Sequence, residues 1–143
     1  MDREDICRRV TEVAEHFGCG NLQENKQLSA QLAKGQPAEV LAGLLLVFSR
    51  SVPTASNYQK QELAGRMLER VKPNAPVELA ATLRAVLPAY NPSVEQVPQY
   101  LAGRFGKEAV IEELARFEAE DHDARSKAGA KTMRWWLGDK TES

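Results

Sequence analysis

The chain has 143 residues, 43% of them apolar and 27% charged, with a formal net charge of −1. That is the composition of a single globular domain able to bury roughly two-thirds of its unfolded surface. It excludes a bilayer span, which needs roughly 20 consecutive apolar residues, and the basic excess of a generic nucleic-acid binder.

The opening Met1-Asp2-Arg3-Glu4-Asp5 lacks the apolar region of a secretory signal, so a cytoplasmic location is expected. Cys7 and Cys19 are too few for a disulfide framework and are expected as reduced thiols.

Eight helices are expected. Asp2 is a good N-cap for the first, in which Ile6, Val10, Val13 and Phe17 follow at spacings that share one face. Gly18 and Gly20 end it. A second helix is expected over about residues 24–34, with Leu28 and Leu32 inward and Gly35 and Pro37 beyond its end. The third, over about residues 38–50, carries apolar residues around most of its circumference from Val40 to Phe48 and should be the most buried element.

After the Pro53 break, Ser56 and Gln59 have capping-box spacing. The fourth helix, to about Lys72, places Leu63, Met67 and Val71 inward. Pro73 and Pro76 make a loop. The fifth helix, over about residues 77–87, buries Leu79, Leu83, Val86 and Leu87. The sixth starts at Ser93, which with Gln96 has capping-box spacing, or at Pro98, and runs to Gly106. The seventh covers about residues 107–120 with Val110, Ile111, Leu114 and Phe117 inward, and the eighth about residues 124–137. No alternating strand pattern is present. One domain over residues 1–138 follows, with a frayed tail over 139–143.

One internal similarity organises this series. Leu63-Ala64-Gly65-Arg66 returns 38 residues later as Leu101-Ala102-Gly103-Arg104, and the same gapless shift aligns Leu41 with Leu79, Leu45 with Leu83 and Gln61 with Gln99. Self-similarity at this period signals a stacked two-helix unit. Leu63 and Leu101 then read as matched core residues, and the Ala-Gly pairs as places where helices approach closely. Four antiparallel helix pairs joined by short loops resemble the HEAT-like and armadillo-like α-α helical repeat superfamily, at the level of architecture. The resemblance implies a short right-handed solenoid, with a compact helical bundle as the alternative.

Cys7, His16, Cys19 and distant His122 offer zinc-type donors, but their spacing fits no standard zinc module, and no metal or other cofactor is expected. Glu112-Glu113 and the run Glu118, Glu120, Asp121, Asp123 read as solvated helix ends lacking a calcium-loop pattern. No nucleophile–base arrangement is recognisable. Two features remain as candidate partner-binding residues. Arg66 and Arg104 would repeat along one concave surface and suit a carboxylate-bearing partner, or else form internal ion pairs. Arg134, Trp135 and Trp136 combine hot-spot residue types, although a tryptophan could equally fill the last pair's core or cap the stack.

The function expected is a protein–protein interaction or scaffold module without catalysis of its own. The alternatives are a nucleic-acid-binding helical repeat using residues Arg125 to Trp136, and a small enzyme with a pocket around His16 or the seventh helix's carboxylates.

Overall fold

The computed structural model describes residues 1–52 and 57–139. Among them are eight α-helices and no strand: α1 (Arg3–Phe17), α2 (Leu22–Ala33), α3 (Pro37–Ser49), α4 (Tyr58–Val71), α5 (Leu79–Val86), α6 (Gln96–Phe105), α7 (Lys107–Ala119) and α8 (Ala124–Trp136), with a 3₁₀ turn at Leu87–Ala89 after α5. No helix among the described residues is long and apolar enough to cross a membrane. Ser56, the first half of one expected capping box, and residues 140–143 of the expected frayed tail lie outside the described residues.

Local chemistry sets the helix ends. Asp2 accepts from the Asp5 amide at 2.9 Å while Asp5 accepts from the Asp2 amide at 3.3 Å, a reciprocal cap on α1. Asn21 accepts from the Glu24 amide, so α2 begins two residues earlier than its apolar pattern indicates. The Ser93–Gln96 capping box does not form. The Asn91 side chain instead accepts from the Ser93 amide, and α6 starts at Gln96. Pro98 then falls in the first turn, where its missing N–H has no helical partner to lose.

One apolar core runs from Ile6 to Leu137. α1 packs most extensively on α3, and α3 in turn touches α5, which touches α7; on the other side α2 touches α4, α4 touches α6, and α6 touches α8. Alternate helices therefore make two rows. Consecutive helices pack unevenly: α3 with α4 and α7 with α8 are broad contacts, α1 with α2 is thin, and α5 hardly touches α6. The α1–α3 contact is close because of Gly43. A Cβ there would sit 2.6 Å from the Ile6 side chain.

α4 shares the centre with α3. It touches α1, α2, α3 and α6, and it buries Gln61 and Glu62 along with Leu63, Ala64, Met67 and Leu68. Gln61 donates to the Ala89 carbonyl at 2.7 Å and accepts from the Asn91 amide at 2.8 Å, while Asn57 donates to Ala89 and accepts from the Asn91 side chain. These amides tie the 3₁₀ turn to α4 and satisfy the Ala89 carbonyl and the Asn91 amide. Phe17, expected on the inner face of α1, is 49% exposed, since it is the last helical residue and Gly18, at φ 74°, turns the chain there.

Candidate functional site

The two Leu-Ala-Gly-Arg segments place their leucines alike: Leu63 and Leu101 are both buried in the core. Their glycines differ. Gly65 is a true close approach, where a Cβ would lie 3.0 Å from Gln96 and 3.2 Å from Val94, so α6 rests against α4 at this point. Gly103 is exposed, and a Cβ added there would meet nothing within 4 Å.

The arginines differ too. Arg66 pairs with Glu62 at 2.8 Å and donates through Nη1 to the Cys19 carbonyl at 2.7 Å. The same carbonyl accepts from Asn25 at 2.8 Å, and the Cys19 amide donates to Gln59 at 2.8 Å. Arg66 thus clamps the α1–α2 loop onto α4, and its hydrogen bond to Glu62 raises the guanidinium pKa above its ordinary value.

Arg104 reaches the opposite kind of loop, the one between α4 and α5. It donates to the Ala75 carbonyl at 2.7 Å, the Pro73 carbonyl at 3.4 Å and the Tyr100 hydroxyl at 3.0 Å, and Tyr100 itself donates to Pro73 at 2.5 Å. Its guanidinium also lies about 6 Å from the Tyr100 and Phe105 ring centres (6.0 and 5.9 Å). Among the described residues no carboxylate pairs with Arg104, and its Nε–H makes no hydrogen bond.

The C-terminal candidates separate in the same way. Arg134 is buried, held by Glu118 through Nε at 2.5 Å and Nη2 at 3.0 Å and by Asp139 through Nη1 at 3.0 Å. The hydrogen bond to Glu118 raises its pKa, so it stays charged within this cluster. Trp136 is half-buried. It donates from Nε1 to the Pro92 carbonyl at 2.9 Å, and its own carbonyl accepts from Gln99 at 3.1 Å, which latches α8 to α6 and to the segment before it. Trp135 is 50% exposed, its ring edge-on to Trp136 at 5.1 Å.

Of the five residues singled out from the sequence, Arg104 lines a sizeable groove. This groove, about 430 Å³, is formed by Glu69 and Lys72 of the α4 end and by Gln99, Tyr100, Gly103 and Arg104 of α6. Its volume falls within the range of ligand pockets. Lys72 caps α4 in the left-handed conformation, at φ 49° and ψ 57°, and it is the one non-glycine with positive φ among the described residues. That conformation costs a lysine roughly 1–2 kcal/mol and would cost a glycine almost nothing. Gly103 is the converse: an exposed helical glycine with free space around it, up to about 1 kcal/mol worse than alanine. Sequence reasoning read Lys72 as a plain helix end and Gly103 as packing. The letters carried a usable signal, a glycine inside a helix and a lysine where a glycine cap is usual.

Burial, with Glu95 and Glu62 nearby, raises the Glu69 carboxyl above its ordinary range, and Lys72 opposes that. Lys72, like Arg104, has no ion pair among the described residues.

The remaining sequence candidates are tied up elsewhere. His16 donates from Nδ1 to the Glu12 carbonyl, His122 stacks on Phe117 with ring centres 3.6 Å apart, and both cysteines are buried. Glu112 and Glu113 pair with Arg116, and Asp123 caps α8. Among the described residues no group of three or more His, Cys, Asp or Glu is placed to hold a metal ion. No protein-family model, curated protein or solved structure matches the chain.

Proposed function

We propose that the chain is a protein-binding module, a short HEAT-like stack of helices without catalysis of its own, whose partner is held in the groove between the end of α4 and α6. The stacking of alternate helices in two rows supports the solenoid reading. One observation carries the binding site: two residues that each work against local backbone preference, Lys72 and Gly103, line the same groove. Residues kept at a local energetic cost concentrate where a chain meets a ligand.

The groove brings together guanidinium, ammonium, carboxylate, amide and phenol groups, which suit recognition of a polar surface on another protein. The test is affinity capture from the native host with the wild-type chain and with Gly103→Leu, which adds bulk to the groove from a position where a Cβ meets nothing within 4 Å. A protein retained by wild type and lost with Gly103→Leu is the expected result. A set of retained proteins unchanged by Gly103→Leu overturns the assignment.

A further inference from the structure

Resting on that reading, we infer that the groove recognises a carboxylate, presented by an acidic, extended segment of the partner protein. Unlike Arg66 and Arg134, which form ion pairs with Glu62 and Glu118, the groove's two cations, Lys72 and Arg104, make no ion pair among the described residues, and Lys72 acts on Glu69 without contacting it. Arg104 is nonetheless held in place: three of its hydrogen bonds go to Pro73, Ala75 and Tyr100, and two aromatic rings flank it. A guanidinium fixed in this way, with Nε–H still unpaired, loses little side-chain freedom when it takes up an anion.

The charge balance selects the kind of anion. Glu69 lies in the same groove, leaving an excess of one positive charge, and Glu95 is close enough to act on Glu69. A nucleic-acid backbone presents a succession of phosphates and gains affinity by contacting many of them. Two cations with the Glu69 carboxylate among them do not offer that. A single carboxylate meets Lys72 and Arg104, and Glu69 remains as an acceptor for a backbone N–H of the same segment. The missing side chain at Gly103 lets an extended chain lie directly against α6.

The test is fluorescence anisotropy at low salt with three labelled probes: a short end-capped peptide alternating Glu and Gly, its Gln/Gly twin, and a single-stranded oligonucleotide of similar length. The Glu peptide should bind wild type at least about tenfold more tightly than its Gln twin or the oligonucleotide, in proportion to one charge-assisted contact. Lys72→Gly and Gly103→Leu should each weaken binding about tenfold, and Glu69→Gln should strengthen it about two- to fivefold, as expected for single charges in a partly solvated groove. Both weakening variants remove a local backbone cost, so a thermal melt at or above wild type shows that lost binding is not lost folding.

Equal binding of the Glu and Gln peptides, tighter binding of the oligonucleotide, or no response to Lys72→Gly overturns the inference. If the Glu peptide fails while Gly103→Leu still removes a captured protein, the carboxylate assignment falls and the module stands. If capture is also indifferent to Gly103→Leu, both fall.

Discussion

Arg134 and Glu118 form a two-point ion pair, with Nε–Oε2 at 2.5 Å and Nη2–Oε1 at 3.0 Å, between side chains only 6% and 14% exposed. Removing one member of such a pair leaves its partner charged and poorly solvated. Arg134→Ala is therefore expected to lower stability by about 3–5 kcal/mol, read from urea unfolding at pH 7. A loss under about 1 kcal/mol, the value of a surface pair, would show that water reaches the cluster.

Gly43 sets the distance between α1 and α3. A Cβ there falls 2.6 Å from Ile6 Cβ and Cγ2 and 3.0 Å from the Arg3 carbonyl, so neither a rotamer change nor one side chain can absorb it. Gly43→Ala should cost about 1–3 kcal/mol, as overpacking does, despite alanine's better helix propensity. The same change at Gly103 should go the other way. Gly103→Ala and Lys72→Gly are each expected to stabilise by about 0.5–1 kcal/mol, measured by chemical denaturation.

Acid should weaken the fold through the carboxylates that cap and pair. Asp123 has its pKa lowered, first by the hydrogen bond from the Ser126 hydroxyl and then by that from the Ser126 amide; Asp5 is lowered by Arg8, and Glu39 by Arg3. A carboxyl depressed in the folded state contributes stability that is complete above its unfolded pKa, near 4, and disappears as pH falls through the lower folded value. Stability should hold from pH 7 to about 5 and decline below about 4. Asp123→Asn, which keeps a capping oxygen but cannot titrate there, should flatten part of that decline in a pH series of thermal melts.

What the sequence made legible was whatever rests on apolar spacing. The inward positions Ile6, Val10, Val13, Leu63, Met67, Leu114 and Leu101 are all buried, and all eight helices stand close to where periodicity and breakers put them. Roles that depend on distant backbone acceptors were not legible. Nothing in the four-letter repeat distinguishes Arg66, whose acceptor is Cys19, from Arg104, whose acceptors are Pro73 and Ala75, because a carbonyl is the same whatever residue bears it.

The burial of Gln61 and Glu62 was equally hidden. Their neighbours in space, Ala89, Asn91 and Gln96, come from segments about 30 residues away. At the groove itself Arg104 was visible as a candidate, while Lys72 and Gly103 were read as punctuation and packing. Only the backbone angle of one and the empty space around the other give them meaning.

The pairing of α1 chiefly with α3, and not with its neighbour in sequence, has a consequence during synthesis. A growing chain emerges N-terminus first, and α1 exposes Ile6, Val10 and Val13 until Val40 to Phe48 have left the ribosome. α1 is thus made before the helix that covers it, and its apolar face is open to chaperones for as long as translation takes to reach α3.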